Sequence, residues 1–125
     1  MDMYKKISHI ETENDFRDVV GEMTDRFGRM PKAALTLTQM VLVKAYAQRA
    51  RIKKIEQMRS EIRFYPEKID KLVLYQISIL KPDKIQICNI KSTPYIMLKT
   101  APNDLDYTEC IDLLKIYIQK CKELQ

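Results

Sequence analysis

The stretch from Thr12 to Pro31 leaves the chain around it little freedom. Thr12-Glu13-Asn14-Asp15 has the layout of a capping box, with the shorter Asp15 where Glu or Gln is usual. Behind it Phe16, Val19, Val20, Met23 and Phe27 recur at i, i+3, i+4, i+7 and i+11, the stripe of a helix that buries one side. Gly28 suits the left-handed position that stops such a helix. Pro31 fits the first turn of the next one, where its missing N–H is not needed, and the apolar run from Leu35 to Ala47 carries that helix to about Arg49. Two helices joined by a very short connector are therefore expected.

The same reading extends to the rest of the chain. Met3, Tyr4, Ile7 and Ile10 predict a short first helix ending around Glu11-Thr12. Ile52 to Met58 and Glu61 to Tyr65 alternate as two strands joined at Arg59-Ser60, with no glycine to supply the preferred turn geometry. Pro66 closes that region, and Ile69, Leu72, Val73, Gln76, Ile77 and Leu80 restore a helical period until Pro82. Ile85 to Cys88, extending towards Ile90, and Tyr95 to Leu98 read as a second strand pair around a turn at Thr93-Pro94. Tyr107 to Leu124 reads as a long terminal helix with Ile111, Leu114, Ile118 and Cys121 on its apolar face. The order of N-terminal helices, β-hairpin, helix, second strand pair and long C-terminal helix is α+β, not a βαβ winding.

With 125 residues, of which 46% are hydrophobic, the chain has material for one core, so a single domain over residues 1–125 is expected. No apolar run approaches the roughly 18 to 20 residues needed to span a bilayer, and no signal-peptide core follows Met1, so a cytoplasmic, non-membrane protein is expected. Cys88, Cys110 and Cys121 are odd in number and lack Cys-x-x-Cys spacing, which argues against a disulfide scaffold or a zinc site; Cys110 and Cys121 read as small core residues. Met23, Met30, Met40, Met58 and Met97 read as core filler.

Catalytic constellations are equally hard to assemble. The two glycines, Gly21 and Gly28, cannot build a phosphate-binding loop, which needs close backbone approach at several places. The only histidine, His9, sits at an exposed helix end beside Ser8 and reads as a surface residue. Asp104, Asp106, Glu109 and Asp112 gather at the start of the last helix, where acidic side chains suit the positive end of the helix dipole. No catalytic, cofactor-binding or metal-binding residues are therefore assigned. The net charge of +5 permits nucleic-acid binding, but the lysines are spread along the chain without a basic run, so solubility is the simpler meaning.

One patch resists a purely structural account. Asp15, Asp18, Glu22 and Asp25 are spaced i, i+3, i+7 and i+10 and line one strip of the second helix, away from its apolar face. Like charges at these spacings repel by a few tenths of a kcal/mol per pair, and Asp25 in the last turn also opposes the dipole. Glu22 recovers roughly 0.3 to 0.5 kcal/mol through Arg26 four residues on. A basic partner surface would use such a strip for orientation and on-rate.

Tyr4-Lys5-Lys6-Ile7-Ser8, Glu11 to Phe16, and above all Glu22-Met23-Thr24-Asp25-Arg26-Phe27-Gly28-Arg29-Met30-Pro31 resemble the C-terminal domain of the bacterial transcription-repair coupling factors, the Mfd or TRCF family. Ile52-Lys53-Lys54-Ile55 looks like the family's entry into its β-hairpin, and Lys68 to Leu72 matches more weakly. The resemblance implies a non-catalytic regulatory domain of a larger ATP-driven DNA translocase. Such a domain docks on the same protein's UvrB-like module and masks UvrA binding. It further implies that the full-length protein meets UvrA, RNA polymerase and double-stranded DNA, and that ATP and Mg²⁺ serve a motor outside this chain, with no cofactor in the domain itself. On this basis Asp18, Glu22, Asp25 and Arg26 are the candidate interdomain docking residues, and Phe27, Gly28 and Pro31 are assigned to helix-hairpin packing. Arg51 stands where the family usually has glycine before the first strand, so no left-handed helix stop is expected there. The alternative reading is a nucleic-acid-binding accessory domain.

Overall fold

The computed structural model describes residues 3–124. It contains five helices and four strands, in the order α1 (Met3–Ser8), α2 (Glu13–Phe27), α3 (Lys32–Arg49), β1 (Ile52–Gln57), β2 (Glu61–Pro66), α4 (Lys71–Leu80), β3 (Ile85–Cys88), β4 (Tyr95–Lys99) and α5 (Tyr107–Glu123). The α+β class and the element order match the expectation. The chain divides into two compact units, Met1–Tyr46 and Ala47–Gln125.

In the first unit α2 starts as the sequence predicts. Thr12 has extended backbone and accepts from the Asp15 N–H at 3.1 Å, while the Asp15 carboxylate accepts from the Thr12 and Glu11 N–H groups at 3.2 and 3.1 Å. Both sides of the capping box are thus made, and two orphan donors of the first turn are satisfied. α1 lies against α2 with Ile7 and Ile10 buried, and α2 buries Val19. Gly28 stops α2 differently from the expectation. Its N–H reaches the Thr24 carbonyl at 2.9 Å, but φ 80° with ψ −159° is an extended positive-φ conformation and not the left-handed helical one. That region is essentially restricted to glycine, so the stop needs this residue even more strictly than a left-handed cap would. Pro31 stands one residue before α3, and its carbonyl accepts the first helical bond from Leu35 at 3.0 Å.

The second unit is a four-stranded antiparallel sheet of order β1-β2-β4-β3. The sequence predicts two separate strand pairs; the fold joins them by pairing β2 with β4. Period-2 alternation then aligns side chains in rows across the sheet. Gln57, Ile62, Leu98 and Ile85 form one row of the inner face, and Ile55, Phe64, Ile96 and Ile87 the next. Ile62, Phe64, Ile96 and Leu98 are almost wholly buried, as are Val73, Leu74 and Ile77 of α4 and Cys110, Ile111, Leu113, Leu114 and Tyr117 of α5. α4 packs on β3 and on α5. Burial pushes the Cys110 thiol up to about 12, assisted by the carboxylates of Asp106, Glu109 and Asp104, so it stays a neutral core group. Cys121 is only half-buried, and Met40 and Met58, expected as core filler, are exposed.

The outer face of the sheet carries a cluster of charged and aromatic side chains. Arg63 stacks on the Tyr95 ring at 4.9 Å and pairs with Glu61 at 2.9 Å, while the Tyr65 hydroxyl donates to Glu56 at 2.8 Å. At the β1–β2 turn neither Arg59 nor Ser60 takes positive φ, and the Met58 N–H bonds the Glu61 carbonyl at 2.8 Å, which closes the hairpin without glycine.

Arg51 corrects an expectation. It does take the left-handed conformation, at φ 56°, between the end of α3 and β1. Its N–H bonds the Gln48 carbonyl and its carbonyl accepts from Glu67, so the surrounding backbone holds it there. A residue with a Cβ is strained in this region by about 1 kcal/mol or more.

Candidate docking face of helix α2

The four acidic residues of the sequence-derived strip meet different fates. Asp15 is consumed by the capping box. Glu22 is engaged by α1: Lys6 Nζ lies 2.5 Å from both of its carboxylate oxygens, and Arg26 lies 3.9 Å away as the i,i+4 partner. The hydrogen bond from Lys6, with the charges of Lys6 and Arg26, holds the Glu22 carboxyl below its ordinary value. Asp18 and Asp25 are exposed and carry no ion pair or hydrogen bond among the described residues. Asp18, Glu22, Asp25 and Arg26 line one shallow recess in the surface of α2. The strip is therefore a single face, of which two carboxylates are free among the described residues.

The packing role expected for Phe27 is not met. Its ring is 69% exposed. α1 runs beside α2 so that Lys6 reaches Glu22 and Met3 Sδ accepts from Arg26 at 3.9 Å. Phe27 is the last residue of α2, one position beyond Arg26. Sequence periodicity places Phe27 on the correct stripe but says nothing about where the neighbouring helix ends. Pro31 contributes to one wall of an apolar recess with Met3, Tyr4, Ile7, Met23 and Leu37, about 420 Å³ in volume. Lys6 is the residue that sequence reasoning missed, because its pairing with Glu22 depends on how α1 folds back and no local pattern signals it.

The carboxylates at the start of α5 are structural. Asp106 caps the helix, accepting from the Glu109 N–H at 3.3 Å, and Asp104 accepts from the Asp106 N–H at 2.9 Å. Burial opposes ionisation of Glu109, yet Lys81 and Lys84, each 3.4 Å away, hold its carboxyl below the ordinary value. His9 is exposed. Among the described residues no group of three or more His, Cys, Asp or Glu side chains could hold a metal ion, and no helix is long and apolar enough to cross a membrane.

Three N-terminal helices followed by a four-stranded antiparallel sheet with two further helices are a known arrangement. A crystal structure of the C-terminal domain of transcription-repair coupling factor shares it with a TM-score of 0.70 at 24% identity, over 98% of this chain and 78% of that one. The chain belongs to the TRCF domain family, whose model matches residues 1–77. Over 56 residues it is 36% identical to the transcription-repair-coupling factor of Escherichia coli (strain K12), and over 63 residues 33% identical to that of Bacillus subtilis (strain 168). Those stretches are 45% and 50% of this chain but 5% of each relative, so the match covers a small part of much longer proteins.

Proposed function

We propose that this chain is a regulatory docking domain of a transcription-repair coupling factor. Its α2 face clamps onto basic side chains of the UvrB-like module of the same protein and covers the surface that binds UvrA. The observation that carries this reading is the pair of exposed carboxylates Asp18 and Asp25 on α2, which have no ion pair or hydrogen bond among the described residues and lie within the stretch that matches the family. Exposed carboxylates without an internal role are available to a basic partner, where complementary charge sets register and encounter rate. Phe27 beside them supplies an apolar anchor of the kind that dominates interface energetics. Arg26 supports Glu22 on the same face, and Glu22 holds α1 against α2. In this proposal DNA translocation, with ATP and Mg²⁺, and the contacts with RNA polymerase and double-stranded DNA belong to other parts of the full-length protein.

The test separates docking from folding. Asp18→Lys with Asp25→Lys in the full-length protein breaks no internal pair, so the domain stays folded while UvrA binding tightens by about tenfold or more, the scale of one or two lost charge contacts at the clamp. UvrA affinity that does not change in this variant, measured by surface plasmon resonance, removes α2 as the clamp.

A further inference from the structure

A second charged site lies wholly within the unit of residues 47–125 and is separate from α2. The end of α3, the start of α4 and the last turns of α5 enclose a cleft of about 350 Å³, at the small end of ligand pockets. Its floor is apolar, made by Ala50, Val73, Tyr117 and Ile118. Its rim carries Arg49, Arg51, Lys68 and Lys122 against the single carboxylate of Asp70. Asp70 is already committed, since it caps α4 by accepting from the Leu72 and Val73 N–H groups at 3.0 and 3.3 Å. Arg51, Lys68 and Lys122 have no ion pair or hydrogen bond from their side chains among the described residues. The C-terminal end of α5 accounts for a lysine at position 122 through the helix dipole, but it accounts for neither Lys68 nor Arg51.

Arg51 supplies an independent observation. It occupies a left-handed backbone position at which glycine would be unstrained, and in doing so it brings a guanidinium to this rim. Backbone strain held in place around a cleft is a pointer to function. The floor decides the class of ligand. Tyr117 is 5% exposed, so no aromatic face is offered for stacking a base.

We propose that this cleft docks an acidic protein segment, which inserts one apolar side chain between Arg51, Lys68 and Lys122 and lays its carboxylates on those three cations. The guanidinium of Arg51 offers a carboxylate two parallel donors, while Lys68 and Lys122 act as point charges at the rim. The apolar floor supplies the anchor pocket and the cations set the orientation.

The test titrates the 125-residue chain into a short fluorescein-labelled peptide of aspartates and glutamates around one leucine, read by anisotropy. Saturable binding is expected, weakened about tenfold by Arg51→Gly and lost in Lys68→Glu with Lys122→Glu. Arg51→Gly also relieves the left-handed backbone, so its thermal melt should lie no lower than that of the parent and unfolding cannot explain the weakening. Serine in place of the peptide's leucine should cost about tenfold more, because the floor then has nothing to bury. Absent binding, or peptide affinity indifferent to both variants, overturns the proposal. So does a duplex oligonucleotide that binds with steep salt dependence, fails in the same variants and finds no competition from the peptide, a result that would make the cleft a phosphate site.

Discussion

Helix α2 and the four-stranded sheet are held in place by different means. α2 buries one side chain, Val19, and depends for its limits on a capping box at Thr12, a glycine-only stop at Gly28 and the tie from Lys6 to Glu22. β2 alone buries Ile62, Phe64 and Pro66, and its pairing with β1 and β4 sets those residues in cross-strand rows. The difference teaches where a protein can place a charged face. An element fixed by local chemistry at its ends can expose Asp18 and Asp25 along its middle at a cost of a few tenths of a kcal/mol. An element fixed by burial has no such surface to give.

The contrast predicts its own largest effect. Phe64→Ala removes a side chain with no exposure at the centre of the sheet and leaves a cavity, so it should cost about 3 to 5 kcal/mol in denaturant unfolding. Hydrogen exchange should show the loss in the amides of β2 and β4. A cost below about 1 kcal/mol would mean that the sheet, like α2, is held mainly by its ends.

What could be read from the sequence follows the same division. The α2 cap, the strand pairs and α4 with α5 were legible because each depends on spacing within a short window. The pairing of β2 with β4 was not, since it joins segments separated by a whole helix. The strip on α2 was legible as a face but not in its division of labour. That Asp15 would be spent on a cap was foreseeable from Thr12; that Glu22 would be spent on Lys6 needed α1 to fold back. Phe27 shows the opposite failure, a correct period on a ring that stays exposed. The basic cleft was illegible for a related reason. Arg51, Lys68 and Lys122 look like a dispersed solvating charge along the chain, and only the fold gathers them.

The two glycines of the chain sharpen the claim that α2 is controlled at its ends. Gly28 occupies extended positive-φ backbone, so Gly28→Ala should destabilise by about 1 to 3 kcal/mol although open space surrounds it. Gly21 lies inside the helix, and a methyl group at its Cα would meet nothing within 4 Å, so Gly21→Ala should stabilise by about 0.5 to 1 kcal/mol. Thermal melts of the two variants should therefore move in opposite directions. Shifts of the same sign would show that the Gly28 stop does not govern the helix.

The smallest effect concerns the tie between α1 and α2. Lys6 hydrogen-bonds Glu22, and although desolvation acts the other way, that bond and the charges of Lys6 and Arg26 keep the Glu22 carboxyl below its ordinary 4.5. A carboxyl depressed in the folded state contributes stability that is complete above its unfolded pKa and is lost as pH falls through the folded value. The tie should thus be intact at neutral pH and weaken only below about 4.5. In Lys6→Met the Glu22 carboxyl, followed by carbon-detected NMR titration, should move back up towards 4.5, and the acid-dependent part of the α1–α2 tie should vanish. A Glu22 curve identical in the parent and in Lys6→Met would mean that the pair does not form in solution. Glu22 would then keep only its i,i+4 partner Arg26, and its carboxylate would join Asp18 and Asp25 on a docking face of α2 wider than the two residues on which the clamp now rests.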